Sequence, residues 1–170
     1  RPLDIFDLKI GRWRDGAAPP VELNHVQAVT LSGEIFLIGA LTGPFRQEAI
    51  VPRILIYTPA TDRWREGPEL PKDRHRGGAG VVVYQGLIYL IGGNRLGHNS
   101  GYVSWVDRLD PKTGQWKKLP DAPHARDHFH AAELDGKIYA AGGRMSAHDQ
   151  GKPLSQTVAP MDIYDIASGR

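Results

Sequence analysis

Three copies of one short pattern recur along this chain. They are Gly33-Glu34-Ile35-Phe36-Leu37-Ile38-Gly39-Ala40, Gly86-Leu87-Ile88-Tyr89-Leu90-Ile91-Gly92-Gly93 and Gly136-Lys137-Ile138-Tyr139-Ala140-Ala141-Gly142-Gly143. The leading glycines lie 53 and 50 residues apart, and Trp13, Trp64 and Trp116 keep the same beat at 51 and 52 residues. A period near 50 made of short apolar runs means repeated sheets. One such unit cannot bury its apolar surface alone, and stacked copies bury a continuous core.

Each unit reads as four short strands. In the second, strand a runs from Arg76 to Tyr84, Gln85-Gly86 supplies a two-residue turn, and strand b runs from Leu87 to Ile91. The third unit turns on Asp135-Gly136, a hairpin signal because glycine accepts the positive φ that this turn needs. Strand c spans 104–110, Pro111-Lys112-Thr113-Gly114 turns the chain, and Trp116 opens strand d. Leu119-Pro120 stops it, since proline offers no N–H to a ladder. Apolar runs of this length suit strands buried on both faces and are too short for buried helices. The glycines after strand b leave room for an aromatic ring from a neighbouring unit, and the repeated Trp is the expected ring.

The combination of Arg76 before an apolar strand, Gly86-Leu87-Ile88-Tyr89, Gly92-Gly93, Thr113-Gly114-Gln115-Trp116 and Tyr164-Asp165 resembles the kelch repeat. The resemblance implies an all-β, kelch-type β-propeller of four-stranded blades around a central channel. The first unit departs from the pattern, with Gly39-Ala40 for the Gly pair and Leu23 where the others have Arg76 and Arg126. Residues 3–7 align with 161–165, both as strand c. The expected order is therefore strands c and d in 1–20, a full blade in 21–71, another in 72–122, and strands a to c in 123–170. That is about three blades, and propellers close with four to eight. The expectation is a part of a larger propeller, six- or seven-bladed by the resemblance. The remaining blades would come from the parent chain or from a partner copy.

Lys and Arg number 21 against 19 Asp and Glu, a net charge of +2 that gives no electrostatic case for nucleic acid. No apolar stretch approaches membrane-spanning length. The absence of cysteine removes disulfides and thiolate metal sites from this stretch without fixing the compartment, a periplasmic or extracellular one being preferred to the cytoplasm. No cofactor is expected.

An up-and-down blade sorts its connections by face. The d–a connections, the starts of strand a and the long b–c loops at 40–52, 94–103 and 144–160 share one face. All seven histidines fall on or near it: His25, His75, His98, His124, His128, His130 and His148. Long polar loops on a rigid scaffold are where binding usually resides. The ligand-binding candidates are His25, Arg76, His98, Asn99, Arg126, His128 and His130. Tyr102 and Trp105 beside them suit either a sugar ring or the blade core.

Counted back from the turn glycine, Leu23, His25 and Gln27 match Arg76, Gly78 and Gly80, and Arg126, His128 and His130. Residues two apart share a strand face, so His128 and His130 are expected side by side, with Asp127 turned away.

Three readings stay open for this constellation. The polar side chains bond to backbone between blades. Alternatively, Arg76 and Arg126 hold a carboxylate while histidines and asparagines meet hydroxyls. In the third, imidazoles from His25, His128 and His130, or His98, hold a metal.

The functional expectation is a binding module that presents this face to a glycan, sugar acid or protein. The alternative, implied by resemblance to sugar-acid mutarotases, is an isomerase with His128 or His130 as acid or base. A cytoskeletal or adaptor role, as in eukaryotic kelch proteins, is a further reading. The copper-radical oxidases that share the repeat need a cysteine that this stretch lacks.

Overall fold

Five antiparallel sheets lie among the described residues, four following one another along the chain and a two-stranded one within a loop. The computed structural model describes residues 2–152 and 156–170. Strands β1 (Leu3–Asp7) and β2 (Arg12–Gly16) pair alone. The next sheet holds β3 (Gln27–Leu31), β4 (Glu34–Ile38), β7 (Arg53–Thr58) and β8 (Arg63–Glu69) in chain order, with a small hairpin of β5 (Leu41–Thr42) and β6 (Ala49–Ile50) in its b–c loop. The third is β9 (Gly80–Tyr84), β10 (Leu87–Ile91), β11 (Val106–Asp110) and β12 (Gln115–Leu119). The fourth is β13 (His130–Leu134), β14 (Lys137–Ala141) and β15 (Asp162–Asp165). The chain is all-β, with two complete four-stranded blades flanked by a three-stranded and a two-stranded one. Among the described residues no helix is long and apolar enough to cross a membrane.

The a–b turns are two-residue hairpins. Ser32 and Gly33, Gln85 and Gly86, and Asp135 and Gly136 all have positive φ, as a turn matched to strand twist requires. Strand alternation then builds two cores from one blade. Val81, Ile88, Leu90 and Leu109 of the third sheet join Phe36, Ile38, Ile54 and Ile56 of the second. Val82, Tyr89, Ile91 and Val106 face the other way, onto Phe129, Ile138 and Ala140 of the fourth. Strands β3, β9 and β13 lie side by side, which sets the a strands innermost.

Two expectations need correction. Strand a begins at Gly80, not Arg76, because Gly78 (φ 61) breaks the extended run; only an isolated bridge from Gly77 to Asn94 precedes it. The ring against the strand-b glycines is Phe129, not tryptophan. A Cβ on Gly92 would lie 3.0 Å from Phe129, and one on Gly80 2.8 Å from it. Trp64 and Trp116 sit on outer strands and tie blades together there: Trp64 Nε1 donates to Ala17 O at 2.7 Å and Trp116 Nε1 to Glu69 O at 2.9 Å. Trp13, on the two-stranded sheet, is 69 % exposed.

Candidate functional site

The entry to strand a carries the site. His25 (φ 50), Gly78 (φ 61) and His128 (φ 54) occupy the same phase of three successive blades, and all three are left-handed. Glycine takes this conformation freely, whereas a residue with a Cβ gives up about 1–2 kcal/mol. The missing side chain at Gly78 leaves a gap through which the outer two histidines meet, their ring centroids 4.4 Å apart. His98, from the b–c loop of the intervening blade, completes the group at 4.7 Å from His25 and 4.8 Å from His128.

The left-handed turn at His128 also overturns the alternation expected there. His130 opens β13, is exposed, and stays outside the trio. It lines a small cavity, about 150 Å³, together with His25, Gln27, Gly78, His128 and Phe129. Asp127 does not point away: its Oδ1 bonds His128 Nδ1. Asp127 is fully buried and held in place by Ser146, whose N–H donates to Oδ2 at 2.9 Å and whose hydroxyl donates to Oδ1 at 2.7 Å.

Glu48 plays the matching part for His98. Its Oε1 lies 2.5 Å from His98 Nδ1 and 3.8 Å from His25 Nε2, while Oε2 accepts the His98 N–H at 3.2 Å. Burial, then the neighbouring His128 and His98, pulls the His25 imidazole down to about 4, with Glu48 opposing. Burial also lowers His98, outweighing its bond to Glu48. Both rings are therefore neutral at pH 7. Glu48 lies below its ordinary value because the bonds from His98 outweigh its own burial.

The b–c loops are fastened into one platform. Asn99 Nδ2 donates to Arg46 O at 2.8 Å, joining the loops of the two complete blades. His148 N donates to His98 O at 3.3 Å and Asp149 N to Asn99 O at 3.2 Å, joining the third. Asn99 is thus engaged in holding the platform. Phe45 stands over it, 5.0 Å from the His98 ring and 5.5 Å from His148. Residues 153–155 of the 144–160 loop lie outside the described residues.

Arg76 and Arg126 are not placed to hold a ligand. Arg76 is fully buried, donating to Gly92 O at 2.7 Å, Arg74 O at 3.0 Å and Leu90 O at 3.1 Å. Its Nη2 meets Asp107 Oδ2 at 2.7 Å, and Arg74 Nε meets Oδ1 of the same carboxylate at 3.1 Å. Burial draws the Arg76 guanidinium down to about 10, so it stays charged at neutral pH. Arg126 repeats the arrangement, donating to Gly142 O at 2.9 Å and Pro160 O at 2.8 Å and pairing with Asp162 at 3.0 Å. These two arginines do not form a carboxylate clamp, because both guanidiniums are buried inside the blades on carbonyls and aspartates.

Trp105 belongs to the same buried assembly, its ring 4.7 Å from the Arg74 guanidinium and 5.7 Å from that of Arg76. His75 Nε2 donates to Leu70 O at 3.0 Å and His124 Nδ1 to Asp162 Oδ1 at 2.6 Å, both apart from the trio. A larger cleft, about 580 Å³, lies between Pro2, Pro19, Glu22 and Asn24, away from the three imidazoles.

Sequence reasoning passed over Glu48, Ser146, Asp107 and Asp162. The last two carry a readable signal. By pairing register, Asp107 opposite Leu90 and Asp162 opposite Ala140 match Leu55 opposite Leu37. Blade 21–71 thus replaces both members of the pair, with Leu23 for Arg and Leu55 for Asp. Glu48 has no such repeat partner.

The Kelch motif family matches residues 75–123. A kelch-like protein, terF, of Aspergillus terreus is 32% identical over 150 residues, covering 82% of this chain and 31% of that protein. The chain is a kelch-repeat protein. An F-box/kelch-repeat protein of Arabidopsis thaliana is 31% identical over 118 residues, 62% of this chain and 30% of that protein. Kelch-like protein 40 of Xenopus laevis is 20% identical over 161 residues, 95% of this chain and 24% of that protein. The kelch chain spans about a third or less of the length of these relatives. The solved structure of YjhT superposes with a TM-score of 0.76 at 14% identity, over 92% of this chain and 53% of that one, and shares the fold.

Proposed function

We propose that this kelch module binds a protein segment carrying both apolar and acidic side chains, on the platform made by its three b–c loops. The observation that carries the reading is the fastening of those loops to one another around exposed apolar groups. Phe45 is 62% exposed and Leu96 57%. Arg46, Arg95 and Lys152 stand exposed on the same loops, against Asp149 as an exposed acid. A platform already held by hydrogen bonds loses little conformational entropy on binding, and exposed apolar groups rimmed by charge suit a protein surface. The kelch resemblance supports this, since propellers of the family commonly offer this face to protein partners. A sugar acid fits less well, because the Arg76 and Arg126 guanidiniums are buried inside the blades.

Arrays of acidic, apolar-containing peptides and of glycans and sugar acids, probed with the labelled chain, test the proposal. The expected result is capture by peptides that falls at least tenfold in a Phe45→Ala/Leu96→Ala double variant. Capture by glycans or sugar acids alone, or peptide capture indifferent to both changes, overturns it.

A further inference from the structure

The two histidines just before strand a and the b–c loop histidine meet from three different blades, and one ring nitrogen of each lies within 4.8 Å of the other two. We propose that His25, His98 and His128 form a site for a divalent transition metal of the zinc class. The proposal is independent of which partner the loop platform takes.

The hydrogen bonding around the trio sets two of the rings up as ligands. With Nδ1 of His98 and of His128 each turned to a carboxylate, the lone pair of each ring is left on Nε2. Metal-binding histidines almost always give their other ring N–H to a carboxylate, a backbone carbonyl or a water, and such partners are themselves held by further hydrogen bonds. Both carboxylates meet that description: Glu48 also accepts the His98 N–H, and Asp127 accepts two bonds from Ser146. His128 Nε2 is buried and has no hydrogen-bond partner among the described residues. Among the described residues, fully buried Asn94 also has neither side-chain oxygen nor nitrogen bonded. Its amide lies beside Gly78, where an added Cβ would be 3.7 Å from Asn94 Nδ2 and 3.6 Å from His128 Nδ1. An ion with its water supplies partners to such atoms.

The backbone adds a second, independent observation. His25 and His128 hold a left-handed conformation that the equivalent Gly78 takes without strain. Strain of this kind persists where surrounding structure enforces it and gathers at ligand sites.

Three imidazoles and no thiolate suit zinc, with copper and nickel as competitors. Zinc bonds nitrogen at about 2.0–2.1 Å, so tetrahedral ligand nitrogens sit about 3.3 Å apart, and the rings close inward by roughly an ångström on binding. His25 remains 29% exposed in its side chain, and the cavity it shares with Gln27 and His130 leaves a fourth position open to water or ligand.

The test uses the chain freed of metal by chelation and titrated calorimetrically with zinc chloride. One zinc per chain is expected. His25→Gly and His128→Gly each copy Gly78, so both variants fold with a melting temperature at or above that of the parent, yet bind zinc at least tenfold more weakly. Asp127→Asn weakens binding about tenfold, and His130→Ala leaves it unchanged. The proposal is overturned if zinc does not bind one to one, or if His25→Gly binds it as the parent does. It is equally overturned if His130→Ala removes as much affinity as His25→Gly.

Discussion

Arg76 and Asp107 form an ion pair at 2.7 Å in which neither side chain is exposed. The pair joins the entry of strand a to strand c within one blade. The same carboxylate also holds Arg74 at 3.1 Å. Arg126 and Asp162 repeat the pair in the next blade at 3.0 Å, whereas blade 21–71 has leucine at both positions. The kelch arginine is thus one half of a buried unit. Its partner lies 31 residues away in one blade and 36 in the other.

Removing one member of a buried pair strands the other's charge and costs about 3–5 kcal/mol. Arg76→Leu should cost about 3 kcal/mol in urea unfolding. Asp107→Leu should cost more, since it strands Arg74 as well as Arg76. The Arg76→Leu/Asp107→Leu double variant should be more stable than Asp107→Leu alone. Equal costs for the two single changes, or strict additivity, would contradict the shared-carboxylate arrangement.

Two glycines separate conformational strain from steric exclusion. Gly86 (φ 78) has open space around its missing Cβ, so Gly86→Ala should cost about 1–2 kcal/mol from backbone strain alone. At Gly92 (φ 61) a Cβ would lie 2.5 Å from Arg126 O and 3.0 Å from the Phe129 ring. Gly92→Ala should therefore cost well over 3 kcal/mol, read as the fall in denaturation midpoint.

The blade was legible in the sequence because its signals are local. Alternation marks strands, and Gln85-Gly86 and Asp135-Gly136 mark hairpins within two residues. Contacts between blades were not legible in the same way. Phe129 and Trp116 are both apolar aromatics, and only the packing of neighbouring a strands decides that Phe129 meets the glycines. At His128 one positive φ reverses the face assignment of both Asp127 and His130. The site was half legible for the same reason: His25, His98 and His128 stand out by residue type, while Glu48 and Ser146 matter only through distances across loops.

The histidine trio predicts a pH dependence. The His25 pKa falls from an unfolded value near 6.5 to about 4 in the fold, so the unfolded chain takes up the proton first as pH drops. The fold therefore bears no protonation penalty from this ring above pH 6.5, and loses stability progressively as pH falls from 6.5 to 4. His98 contributes in the same direction below 6.5. The groups facing His25 are His98, His128, Glu48 and Arg144. Allowing for the 29% exposure of its side chain, the loss from His25 is on the order of 2 kcal/mol. Urea titrations at a series of pH values should show His25→Gly gaining on the parent as pH falls through this window. Parallel profiles for the two would contradict it.

Glu48 couples the loop platform to the histidines. It is 2% exposed in its side chain, sits 2.5 Å from His98 Nδ1, and crowds Gly97, where an added Cβ would lie 2.5 Å from Oε2. Glu48→Ala removes an acceptor shared by a backbone N–H and an imidazole, leaving both unpaired in a half-buried loop, a cost of about 1–3 kcal/mol. The loss should be local. Hydrogen exchange at the His98 amide and through residues 43–50 should speed up at least tenfold, while amides in β9 and β10 keep their protection. Glu48→Gln keeps an acceptor for one of the two donors and should restore part of the protection. Uniform acceleration across the blades would instead make Glu48 a determinant of global stability, and would separate it from the platform.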